Sequence, residues 1–169
     1  MSGSIHKEEN NVYQIDFRKA LWSTDKLNNI FHETGVTILS DVDFIAETEN
    51  EIILVEYKNA NISGASNPDA FKPSEDKSID KIAYKFYDSL IFIMACGFNK
   101  PYEYVYILEY PKGDATTRRF IRNKIKAKLP FMLQENNMIK NKLISDFKVL
   151  SIDEWNNDEF YGEFPVSLT

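Results

Sequence analysis

Between Ser78 and Cys96, apolar residues recur at Ile79, Ile82, Ala83, Phe86, Leu90, Ile91 and Ile93. That spacing places them on one stripe and predicts a long helix, stopped by Gly97. Upstream the pattern changes to short apolar runs. Val42 to Glu47 and Glu51 to Lys58 read as strands joined by a turn at Thr48, Glu49 and Asn50, with a further short strand at Val36 to Leu39. Tyr102 to Tyr110, rich in Tyr, Val and Ile, and Phe147 to Ile152 read as later strands. Thr116 to Leu129 reads as a basic helix ending before Pro130.

The first part of the chain is less regular. Phe17, Ala20, Leu21, Leu27, Ile30 and Phe31 suit one helix or two short ones from Asp16 to Phe31, with Gly35 as a stop. Residues 1–11 are polar and read as a flexible tail that includes His6. Asn59 to Lys77 is a long loop rich in Asn, Ser, Pro and Gly. Loops of that length are uncommon in a compact domain unless they have a task or are disordered. Phe131 to Asn141 fits neither period. The aromatics Trp155, Phe160, Tyr161 and Phe164 predict a final segment that packs back on the domain.

Strand pairs followed by helical crossovers predict an α/β fold, with a mixed central sheet flanked by helices. With 169 residues and 43% hydrophobic content, residues 12–169 are expected to form a single domain with a full core. The lone Cys96 sits in an apolar run and is expected to be a buried thiol, so nothing asks for an oxidising compartment. The longest apolar run, Leu90 to Ala95, is too short for a membrane span, and no leader pattern is visible. The expectation is a cytoplasmic protein without a membrane partner.

The net charge of -6 argues against a generally basic surface, but the charge is uneven. From Lys112 to Lys148 there are ten Lys or Arg against three acids, so this segment carries +7 and the remainder -13. Such asymmetry permits a local anion-binding face on an acidic protein.

The chemistry concentrates at Asp41 to Glu47 and Glu51 to Lys58. Side chains alternate along a strand, so Ile52, Leu54, Glu56 and Lys58 share one face. Charged groups continuing an apolar face should reach a rim or cleft, because burying them unpaired is costly. An even hairpin loop pairs Thr48 with Glu51 and Glu47 with Ile52, bringing Asp43 opposite Glu56. Facing residues have Cβ atoms about 4.5–5.5 Å apart. A one-residue slip would send Asp43 to the other face. Two carboxylates at that distance repel by about 1–4 kcal/mol at moderate dielectric, a penalty that a divalent cation removes.

Asp43, then Glu56-Tyr57-Lys58 thirteen residues on, with apolar strands around both, resembles the Asp…Glu-x-Lys signature of the PD-(D/E)xK, or restriction-endonuclease-like, nuclease superfamily. The resemblance covers roughly Asp16 to Tyr110. Position 42 is Val where the motif often has Pro. The resemblance implies an αβββαβ core: a helix, a three-strand meander, a helix and a further strand. It implies that Asp43 and Glu56 bind Mg2+ or Mn2+, that the Tyr57 carbonyl completes the metal shell, and that Lys58 assists the attacking water. Members often carry an acid on the first helix, for which Asp16, Asp25 and Glu33 are the candidates. They often carry a cation on the helix after the motif. Lys81 and Lys85 stand four apart there, and Lys85 is preferred for the catalytic role.

These readings lead to a metal-dependent nuclease hydrolysing phosphodiester bonds, with DNA as the expected partner. Lys81, Arg118, Arg119 and Arg122 are the expected nucleic-acid contacts, since phosphate neutralisation dominates nonspecific binding. A homodimer is compatible with the sequence. The alternative is a catalytically inactive module on the same fold that binds nucleic acid or a protein partner. There is no Cys or His cluster for zinc and no glycine-rich phosphate loop.

Overall fold

The structure, a computed structural model, describes residues 2–169. In chain order the elements are β1 (Ile5–Lys7), β2 (Tyr13–Asp16), β3 (Trp22–Thr24), α1 (Leu27–Glu33), β4 (Phe44–Glu47), β5 (Ile52–Asn59), α2 (Asp76–Ala95), β6 (Tyr102–Glu109), α3 (Ala115–Lys126), β7 (Asp146–Leu150), α4 (Ile152–Asn157) and β8 (Val166–Leu168). A five-stranded mixed sheet runs β3-β4-β5-β6-β7, and a three-stranded sheet runs β1-β2-β8. Strands β3, β4 and β5 form an antiparallel meander, whereas β6 and β7 join in parallel after the α2 and α3 crossovers.

Alternation along β5 and β6 divides the core into two layers. Ile52 and Leu54 of β5, with Tyr102, Tyr104 and Tyr106 of β6, pack with α1, α2 and α3. Ile53, Val55, Val105 and Ile107 face the other way, against Ile15, Phe17, Trp155, Tyr161 and Phe164. Both faces of the central strands are therefore covered. This explains the continuous apolar run of Ile52 to Val55, all fully buried. The aromatic final segment packs back as expected: Trp155 stacks on Tyr161 with centroids 4.6 Å apart, and both are fully buried.

The first thirty residues depart from the sequence reading. Residues 5–7 are not a loose tail. They form β1, and His6 is buried where its Nε2 lies 2.7 Å from Ser23 Oγ and its Nδ1 lies 3.3 Å from Asp25. The expected helix from Asp16 is instead β2, a connection and β3, with helix only from Leu27. Three- and four-residue strands are too short to show a period, and cross-strand pairing decides their state. Val36 to Leu39 forms no strand. Cys96 is exposed rather than buried, because it lies just past the end of α2 beyond the last core position, Ile93. No helix among the described residues is long and apolar enough to cross a membrane.

Candidate active site

The hairpin between β4 and β5 fixes the site's geometry. Glu47 pairs with Ile52 and Phe44 with Val55, while Thr48 N–H donates to the Glu51 carbonyl at 2.9 Å. This is the even-loop register, and one further step brings Asp43 level with Glu56. Asp43 lies just before β4, where its Oδ2 accepts the Tyr57 N–H at 2.8 Å. The approach to Asp43 is held from the α2 side: Ser40 N–H donates to Asp88 (2.8 Å) and Val42 N–H to the buried Ser89 hydroxyl (3.0 Å).

The strand face carrying Ile52, Leu54 and Glu56 turns toward α2, and α2 returns Lys85 to meet it. Lys85 Nζ donates to both Glu56 oxygens, at 2.7 and 2.8 Å, and stands 3.8 Å from Asp43 Oδ1. Glu56 has a side chain only 7% exposed and Lys85 15%, whereas Asp43 keeps 36% open to solvent. Burial pushes the Glu56 carboxyl up to about 8, and the Asp43 charge adds to it against the opposing pull of Lys85. Desolvation likewise raises Asp43, although Lys85 and the Tyr57 N–H oppose it. Burial works to lower the Lys85 ammonium, but attraction to Glu56 and Asp43 outweighs it and the group is raised. Two acids held in one cleft thus compete for charge, with a single lysine between them.

These residues sit in a cleft of about 790 Å³ at the carboxyl end of β5. Of the residues expected there, Asp43, Glu56, Tyr57, Lys58, Lys81 and Lys85 all line it. Lys58 does so without an ion pair to either acid. It is exposed, and its Nζ lies 5.9 Å from the centre of the Phe71 ring. The lysine that touches the carboxylates is therefore Lys85. The cleft is also lined by the segment with Asp41 and by the β1–β2 turn with Glu8 and Glu9, which the apolar pattern places in a loose tail. Glu8 is consumed by its own turn, accepting N–H groups of Asn10 and Val12 at 2.8 and 2.6 Å. Of the three candidate acids from the first part of the chain, Asp25 lines the cleft, whereas Asp16 pairs with Arg18.

Arg118, Arg119 and Arg122 do not line the cleft. Arg118 is buried and donates to Glu154 at 3.0 Å, a residue that also closes the capping box of α4 with Ser151. It ties α3 to α4 and is not free for phosphate. Lys124 and Lys128 are likewise paired, with Asp76 and Asp80 of α2. Arg119 is exposed, and Arg122 donates to the neighbouring Asn123 side chain. The basic segment thus spends much of its charge holding helices together.

Among the described residues no group of three or more His, Cys, Asp or Glu side chains gathers as a metal cage. The donors at hand are two carboxylates and backbone oxygen. One residue's N–H and C=O point to the same edge of a strand. The Tyr57 N–H reaches Asp43 beyond the last β4–β5 pair, so its carbonyl opens to that same edge. Two carboxylates and a carbonyl are hard oxygen donors, few enough to suit a magnesium-type ion that keeps water and phosphate oxygens in its shell. Comparison with family models, with curated proteins and with solved structures finds no match.

Proposed function

We propose that this chain is a metal-dependent phosphodiester hydrolase of the restriction-endonuclease-like type, acting on DNA. The observation that carries the reading is the convergence of Asp43 and Glu56 in one cleft with a lysine in contact with both. The order β3, β4, β5, α2, β6 follows the meander, helix and strand expected of a PD-(D/E)xK core. The departure is that α1 falls between β3 and β4 rather than ahead of the meander.

In this reading Asp43, Glu56 and the Tyr57 carbonyl hold Mg2+ or Mn2+. When bound, the ion supplies Lewis-acid polarisation of a phosphoryl oxygen and a more acidic water. Glu56, whose burial favours the protonated carboxyl, would hold the ion as the carboxylate. Lys85, freed from sole charge of the two acids, offers its N–H groups to the attacking water or to charge developing on the phosphoryl oxygens. Lys58 and Lys81 stand in the same cleft, their ammonium groups in no ion pair among the described residues and suited to flanking phosphates.

The test is incubation with Mg2+ or Mn2+ and supercoiled, linear, branched and single-stranded DNA. Cleavage is expected, abolished by chelator and by Asp43→Ala or Lys85→Ala in proteins whose circular dichroism is unchanged. Turnover that survives in both variants, or none on any substrate, rejects the reading in favour of a binding module.

A further inference from the structure

The two walls of the cleft differ in charge and chemistry. Along α2 and the end of β5 stand Lys58, Lys81 and Lys85; the opposite wall presents Glu9, Asp25 and Asp41. A duplex brings phosphates of two strands, and its affinity grows with the number neutralised. Here three cations stand on one wall, whereas on the other a single cation, Lys7, is outnumbered by Glu9, Asp25 and Asp41, which repel a second strand. The basic helix does not compensate, since Arg118, Lys124 and Lys128 are held in ion pairs.

The cationic wall also contains two groups that no internal role uses fully. Phe71, from the loop between β5 and α2, is only partly buried and lines the cleft, with its edge-on contact to Tyr110 at 6.0 Å behind it. Tyr106 pairs in register with Glu56 and so shares its face; it is 3% exposed and lines the cleft. Its neighbour Tyr104 gives its hydroxyl to the Ile82 carbonyl at 2.9 Å. The Tyr106 hydroxyl has no such partner among the described residues and is reachable from the cleft. An aromatic face, a waiting hydroxyl and lysines side by side are the parts of a subsite for one unstacked nucleotide.

We infer that the cleft takes an unpaired polynucleotide strand, with phosphates along Lys58, Lys81 and Lys85, one base on Phe71, and the Tyr106 hydroxyl bonded to that nucleotide. The inference rests on the reading of the cleft as a phosphodiester site and names the form of its substrate. A duplex must open, or end, before it can enter.

The test is fluorescence anisotropy of a labelled ten-nucleotide strand and of the corresponding duplex, with the whole chain in calcium. The single strand is expected to bind at least about tenfold more tightly, and Phe71→Ala to weaken it about fivefold or more, in the range of lost base stacking. Tyr106→Phe, which leaves the core volume intact, is expected to weaken it about threefold or more through one lost hydrogen bond. Equal or tighter duplex binding, or no loss in either variant, overturns the inference. Calorimetry with Mn2+ separates the two levels. Retained Mn2+ binding with failed strand selectivity rejects only the substrate form, whereas absent Mn2+ binding rejects the carboxylate site itself.

Discussion

The proton held by Glu56 makes folding stability depend on pH in a direction that can be worked out. The carboxyl rises from an ordinary 4.5 to about 8 because it is buried beside Asp43, with Lys85 only partly offsetting this. A group raised in the folded state binds its proton more tightly there than in the unfolded chain. Its contribution is therefore full below about 4.5 and is lost as pH climbs through about 8. Between pH 6 and 9 the two-state linkage relation gives a loss of about 2–3 kcal/mol from this single group. The perturbation is Glu56→Gln, which keeps the shape and removes the titration. Glu51, raised to about 7 by burial and its neighbour Glu103, slopes the same way but is present in both proteins and cancels in the comparison. The assay is urea unfolding of both proteins at pH 6, 7, 8 and 9 with chelator present. The stability difference, wild type minus variant, should fall by about 2–3 kcal/mol across that range. Parallel pH profiles for the two proteins would refute the argument, because they would mean that Glu56 is already ionised at neutral pH in its cleft.

Two further outcomes follow from contacts outside the acids. Ser89→Ala leaves the buried Val42 N–H without its acceptor and should cost about 1–3 kcal/mol in chemical denaturation. Because Val42 immediately precedes Asp43, the same variant should also weaken Mn2+ binding by calorimetry. Arg118→Ala should lower stability by about 1–3 kcal/mol by removing the charge-assisted bond that ties α3 to Glu154 of α4, while leaving the affinity for a labelled oligonucleotide unchanged. A drop in affinity without a drop in stability would restore Arg118 as a phosphate contact.

The elements that were legible in the sequence are those with enough length to display a period. β4 and β5, joined through Thr48 to Glu51, and the twenty-residue α2 fall where the apolar spacing puts them, and hairpin parity alone set Asp43 level with Glu56. The first three strands were illegible for a physical reason. Each has three or four residues, and β1 is built around a buried histidine whose place depends on Ser23 and Asp25 from elsewhere in the chain. Phe17 and Ala20 do belong to the core, but from the connection between β2 and β3 rather than from a helical stripe, and of this early set only Leu27 and Phe31 reach it from a helix. Within the cleft, Lys85 could be read from its helix phase. Nothing in the residue pattern shows that Lys58 stands apart from the acids it follows. Tyr106 and Glu9 were invisible as cleft residues because strand pairing and a distant turn bring them there. Ser89 carried one faint signal, a hydroxyl set among the apolar positions of α2. The pairing of Arg118 was not legible, because a cation in a basic run reads the same whether it faces water or Glu154.

The small sheet that places Glu8 and Glu9 beside the cleft joins residues 5–7, through β2, to residues 166–168. Bringing such distant segments together requires closing nearly the full chain into a loop, an entropic cost best met once the five-stranded sheet already holds the intervening parts. The β2–β8 pairing should therefore be among the last pieces assembled. During synthesis, a ribosome-bound chain still lacking β8 would carry both acids of the site beside a β1–β2 hairpin without its third strand.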